Sequence, residues 1–115
     1  MAINLETINN KILELDNRLI ELNSQIELIQ ENMKEIELIT LKGIFLEVGD
    51  NGKRKFSNED LRRIELMERL NRNEKYQKLK GELKELKLKE ATTKANKGFL
   101  LRRLNYLVEL KSEVI

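Results

Sequence analysis

The apolar positions of the first forty residues set the pattern of the chain. Leu5, Ile8, Ile12, Leu15, Leu19, Leu22, Ile26, Ile29, Met33 and Ile36 follow one another at spacings that alternate strictly between three and four. Five heptads of this kind predict a helix over about residues 3–40 with an a/d seam. A period of 3.5 favours a left-handed supercoil against another helix. The helix would be ~55 Å long at ~1.5 Å per residue. Leu13, Ile20, Leu28 and Leu38 fall outside the seam. They widen the apolar surface beyond what one partner helix covers, so more than two helices are expected to meet.

After Thr40 the period changes. Ile44, Leu46 and Val48 alternate with Phe45 and Glu47, a period of two. Gly49-Asp50-Asn51-Gly52 follows, and Asn-Gly favours a tight type I′ turn. Lys53-Arg54-Lys55-Phe56 can return as a second strand, which predicts a small β-hairpin over about 44–56. The plain role of this hairpin is to reverse the chain; the other is a knob for a partner, with 53–55 as its basic tip. A helix over about 57–71 restarts at Ser57, with Asp60 in the place of a capping-box acid. Phe56 and Leu61 suit a hydrophobic staple, and Leu61, Ile64 and Met67 or Leu70 make its apolar face. The phase slips at Asn71-Arg72-Asn73, where Asn73 can cap a further helix over about 73–113.

That last helix carries a second seam: Tyr76, Leu79, Leu83, Leu86, Glu90, Thr93, Lys97, Leu100, Leu104, Leu107, Lys111 and Val114. Its middle is polar, and Gly81 and Gly98 each weaken a helix by about 1 kcal/mol relative to Ala. The stretch 91–98 is therefore either a flexible break or a close crossing of small residues. Together the elements predict a mainly α protein, a single elongated domain over 1–115. Two long helices pair as an antiparallel coiled coil, with the small β-hairpin between them. One such hairpin of helices buries little apolar surface. Association of two or more chains is therefore expected, most simply a dimer closing a four-helix bundle, with the ten residues from Leu5 to Ile36 as candidate oligomer interface.

Composition narrows the chemistry. The 115 residues include no Cys, His, Trp or Pro, and 37% are charged. No disulfide, thiolate nucleophile or imidazole base is available, and zinc and haem lose their usual ligands. Glu82, Glu85 and Glu90, with Glu59 and Asp60, are the only acidic groupings to weigh as a metal or acid–base site, and di-iron bundles also require His. Solvated helix faces explain these acids better. A non-enzymatic protein without cofactor or metal is expected. No apolar run approaches the ~18 residues of a membrane span, and the N-terminus lacks a signal pattern, so no membrane partner and a cytoplasmic location are expected.

The net charge of +2 hides an asymmetry. Residues 1–58 hold 7 basic and 10 acidic side chains, whereas 59–115 hold 15 and 10. Between Lys75 and Arg103 there are 10 basic and 3 acidic residues. With Tyr76 at position a, Lys80, Lys87 and Lys94 fall at e and Lys75, Lys89 and Arg103 at g, flanking the seam. One reading pairs them with Glu14, Asp16, Glu21 or Glu27 of the neighbouring helix. The other brings Lys80, Lys84, Lys87, Lys94, Lys97, Arg102 and Arg103 to nucleic-acid phosphates. Arg102 and Arg103 are the best single candidates for phosphate or carboxylate, because the guanidinium fork suits both. With only Tyr76, Phe99 and Tyr106 in this half, base stacking is not expected to be the main mode.

The segment Asn73-Glu74-Lys75-Tyr76-Gln77-Lys78-Leu79-Lys80-Gly81-Glu82-Leu83-Lys84-Glu85-Leu86, followed by Phe99-Leu100-Leu101-Arg102-Arg103-Leu104, resembles small coiled-coil proteins of bacteriophages and prophages. Their genes lie among replication and recombination functions. Members often open on Asp-Pro-Glu-Tyr-Gln, continue in a Leu/Glu/Lys heptad run and carry an Arg-Arg-rich segment near the end. Asn73-Glu74 stands here where Asp-Pro would be, and the glycines also depart from the pattern. The resemblance covers roughly the C-terminal half. It implies an accessory role around phage DNA, with a recombinase or single-strand-binding protein as partner. The helix–hairpin–helix order is also similar, in architecture alone, to prefoldin-type chaperone subunits.

Three functions follow as expectations. The first is an interaction protein acting on or near nucleic acid in phage-type replication or recombination. The second is a protein-binding inhibitor or adaptor, such as a phage-borne blocker of a host-defence enzyme, using the hairpin or an acidic helix face. The third is a chaperone-like scaffold.

Overall fold

The computed structural model describes the backbone of residues 4–114 and the side chains of residues 4–111. It contains three helices: α1 (Leu5–Leu46), α2 (Glu59–Arg72) and α3 (Glu74–Val114). The expectations for Ile3 and for the Val114 side chain lie outside the described residues. The chain divides into two compact units. One joins Met1–Ile26 to Glu85–Ile115, and the other is Glu27–Lys84.

Capping sets where α1 begins. The Asn4 side chain accepts a hydrogen bond from the Thr7 N–H at 2.8 Å, which satisfies one of the free amides of the first turn. From there the seam decides what is buried. Ile8, Leu22, Ile26 and Met33 are buried, and the other six seam residues are half-buried. Leu13, Ile20, Leu28 and Leu38, off the seam, are exposed. In the first unit α1 and α3 run antiparallel, since Leu5 lies by Leu107, Ile8 by Leu100 and Asp16 by Lys97. Over Leu5–Asp16 the α1 seam thus faces α3 of the same chain. The outer residues, rather than the ten seam residues, face solvent.

The expected β-hairpin over 44–56 does not form. α1 continues to Leu46, and among the described residues there is no strand, only an isolated antiparallel bridge between Val48 and Arg54. The reason lies in the i, i+4 ladder Ile36–Thr40–Ile44. Continuing the helix buries Ile44 completely (0% exposed), whereas a strand would have to find another cover for it. Gly43 costs the helix some stability but does not break it. The chain then reverses in a turn in which the Gly52 N–H donates to the Gly49 carbonyl at 3.0 Å. Among the described residues Gly52 alone has positive φ (76°), so this is not the type I′ turn expected, which needs positive φ at both central residues. The Asn51 side chain accepts from the Lys53 N–H at 3.0 Å, and the Gly49 N–H donates to the Lys53 carbonyl at 2.8 Å.

α2 starts one residue later than expected. Asn58, not Ser57, is the cap, and its side chain accepts from the Leu61 N–H at 2.8 Å. The helix is also turned relative to the predicted apolar face. Leu61, Ile64 and Met67 are exposed, while Leu70 is buried and Arg62, Glu65, Leu66 and Arg69 are half-buried. Two arginines hold this orientation. Arg62 donates to the Phe56 carbonyl at 3.1 Å, and Arg69 reaches Glu47 just beyond α1. Their long stems cover surface that leucines were expected to cover. The Phe56–Leu61 staple is absent, since Leu61 points to solvent.

Asn73 ends α2 and starts α3. Its extended backbone (φ −83°, ψ 109°) breaks the helical path, its N–H donates to the Leu70 carbonyl and its side chain accepts from the Tyr76 N–H at 2.9 Å. Gln77 adds a side-chain bond to the Leu70 carbonyl at 3.0 Å. α3 then runs unbroken through 91–98, so no helix break occurs there, and of the small residues in this stretch Thr93 is buried while Ala91, Thr92, Ala95 and Asn96 are exposed. Thr93 is 7% exposed and its hydroxyl donates to the Lys89 carbonyl at 2.7 Å, the usual way a buried Thr is satisfied in a helix. Of the described positions in the second seam, only Lys111 is exposed.

Truncation of Ile44 to Ala should therefore cost about 2–5 kcal/mol, as for a fully buried aliphatic side chain. Leu38→Ala, on the exposed side of the same helix, should change stability by no more than about 0.5 kcal/mol. Urea unfolding of the two variants checks this; similar midpoints for both would contradict the helical path through Ile44.

Candidate nucleic-acid interface

α3 positions the seven basic residues singled out from the sequence, but not as one group. Lys80 and Lys84 belong to the Glu27–Lys84 unit, and the other five to the unit containing Glu85–Ile115. Lys97 sits in the seam, half-buried, with its ammonium 2.5 Å from Asp16 on α1. It is therefore a structural cation: it neutralises Asp16 and lets a charged side chain occupy an a position. Lys94 pairs with Glu90 of its own helix at 3.6 Å. Lys80, Lys84, Lys87, Arg102 and Arg103 are exposed and, among the described residues, none has a carboxylate within 4 Å. Of the acids proposed as cross-helix partners, Asp16 alone is used, and Glu14 pairs with Lys11 on α1 instead.

The aromatics differ in exposure, which counting them in the sequence could not reveal. Tyr76 is half-buried and its hydroxyl donates to Glu37 at 2.6 Å, so it serves the fold of its own unit. Phe99 and Tyr106 are 56% and 60% exposed. They stand seven residues apart on α3, and Arg102 and Arg103 lie three and four residues from each of them. Residues at these spacings share one side of a helix. The i, i+3, i+4, i+7 signal is legible in the sequence, but it resembles a core stripe until exposure is known.

The acidic groupings do not converge. Glu59 pairs with Arg63 at 3.7 Å and Glu90 with Lys94. Among the described residues no group of three His, Cys, Asp or Glu side chains could hold a metal ion. The concave places found are shallow, such as the groove lined by Leu41, Glu59, Arg62, Arg63 and Leu66. Among the described residues no helix is long and apolar enough to cross a membrane.

The reversal after α1 carries the densest electrostatics. Arg69 bridges Glu65, at 2.8 Å, and Glu47, which Lys55 also approaches at 3.5 Å. The Arg69 hydrogen bond is the main reason the Glu47 carboxyl is held below its ordinary range. Beside it, the Phe45 ring lies under the Arg54 guanidinium at 3.9 Å from its centroid, with Arg62 at 5.3 Å. Arg54 and Lys55 of the basic tip are thus engaged in holding the turn.

Two titrations follow from these pairs. Because the folded Glu47 binds its proton less readily than the unfolded residue, its contribution is present above the ordinary carboxylate range and is lost on acidification through its lowered value. Arg69→Leu should flatten the fall of stability on acidification below about pH 5, measured by thermal melts; an unchanged acid profile would rule the pair out as a determinant. Tyr76 is pushed up to about 12, first by its hydrogen bond to the Glu37 carboxylate and then by burial. Its contribution is intact below about pH 10 and lost as pH rises through the raised value. In a Tyr106→Phe variant, where Tyr76 is the sole tyrosine, phenolate absorbance should rise with a midpoint of about 12. A midpoint at the ordinary tyrosine value of about 10 would mean the bond is not held in solution.

Comparison of the chain with protein-family models, with curated proteins and with solved structures gave no match, so the functional reading rests on the geometry of α3 and on the resemblance noted in the sequence.

Proposed function

We propose that the protein is a non-enzymatic helical interaction protein that binds nucleic acid through α3. One observation carries this reading. Of the ten basic side chains from Lys75 to Arg103, Lys94 and Lys97 are in ion pairs, which leaves eight with no carboxylate within 4 Å among the described residues. A helix that needed these charges only for its own packing would neutralise more of them. Unpaired cations along α3 suit a polyanion, whose condensed counterions are released on contact. The setting proposed is accessory work in phage-type replication or recombination, on the resemblance of segment 73–104 to such proteins.

A second reading, a protein-binding adaptor or inhibitor, draws on a different observation. Leu61, Ile64 and Met67 line one side of α2 and are all exposed (45%, 57% and 61%). An apolar row of this kind is common where a protein partner docks.

Anisotropy of labelled single- and double-stranded oligonucleotides at two salt concentrations tests the first reading. Binding should weaken steeply with salt, and Lys84→Ala with Lys87→Ala should reduce the slope of log K on log salt by about 1.4–1.8 if both meet phosphates. Absence of binding at about 50 mM salt would overturn the nucleic-acid reading and leave the α2 row as the functional surface.

A further inference from the structure

We infer that Phe99, Arg102, Arg103 and Tyr106 form a platform for single-stranded nucleic acid, with the two rings stacking on bases and the two guanidinia holding the phosphates between them. This inference rests on the nucleic-acid reading above and narrows it to one strand form and one place on α3.

The two rings are not needed by the fold. The seam of this part of α3 is Leu100, Leu104 and Leu107, all half-buried against the chain, whereas Phe99 and Tyr106 point outward. More than half of each residue's surface stays in water, so each ring leaves apolar area unburied. Arg102 and Arg103 are also exposed and, among the described residues, have no carboxylate partner. The Arg102 guanidinium lies over Gly98 of the same helix. A side chain starting at Gly98 would meet the Arg102 guanidinium at 3.7 Å, in ordinary contact.

Geometry then selects the ligand. Seven helical residues separate the rings by about 10.5 Å along the axis. This is about three times the 3.4 Å rise between neighbouring bases of a stacked strand. The rings therefore suit bases that are not adjacent, in a strand drawn out of its own stack. The phosphates linking such bases pass the middle of the platform, where the guanidinium forks stand. A duplex keeps its bases stacked inside and can offer the arginines only its backbone. The rings thus add affinity for a single strand and none for a duplex.

A Phe99→Trp variant supplies the probe, since the chain has no tryptophan of its own. Oligothymidylate should quench and shift its emission, while a duplex of equal length should bind without doing so. Phe99→Leu with Tyr106→Leu should weaken oligothymidylate binding by about 30-fold or more and leave duplex binding unchanged. Arg102→Ala with Arg103→Ala should weaken both. All these positions are exposed, so the helical circular dichroism and melting temperature should match the parent. If oligothymidylate binds by anisotropy yet the tryptophan emission and the double-leucine affinity do not move, the platform is refuted while the nucleic-acid reading stands. If neither strand form binds, both fall, and an acidic protein segment becomes the class of ligand for this face.

Discussion

Everything in this molecule depends on closing the apolar seam of α1. A 42-residue helix gains little from helix propensity alone. Its stability comes from removing Ile8, Leu22, Ile26, Met33 and Ile44 from water, and each of the two units does this with other helical segments of the same chain. The strict three–four spacing keeps Ile8, Leu22, Ile26 and Met33 on one side of the helix.

That constraint explains how polar residues are tolerated on the inner side of α3. Thr93 is buried but returns its hydroxyl to its own backbone, and Lys97 meets Asp16 from the facing helix. Such contacts cost less than leaving either charge unpaired, and they also distinguish one alignment of the two helices from a slipped one. At the reversal after α1 the same logic is carried by arginine. Arg69 ties Glu47 to Glu65, and Arg54 and Arg62 shield Phe45, so a turn with almost no β-structure is held by side chains.

Once these pairs are made, what remains on the outside is informative because the fold does not use it. Unpaired lysines and arginines accompany two exposed rings on α3, and an apolar row remains on α2. The first combination carries the proposed binding of nucleic acid, since charge supplies affinity for any phosphate backbone and rings add a preference for free bases.

The amino-acid sequence determined by itself the two long helices, both seams, the role of Asn73 as a cap and the absence of imidazole and thiol chemistry. These are local or periodic properties, and periodicity over many turns outweighs any single residue. The tertiary structure decided what competing local signals left open. The period-two stretch 44–48 suited a strand until the burial of Ile44 made the helix continue. The leucine face predicted for α2 gave way to Arg62 and Arg69, because their hydrogen bonds to Phe56 and Glu47 fix how the helix is turned. Exposure of Phe99 and Tyr106, against engagement of Tyr76 by Glu37, likewise depended on which side of each helix found a neighbour. Sequence spacing places residues on a face; only packing determines whether that face meets protein or water.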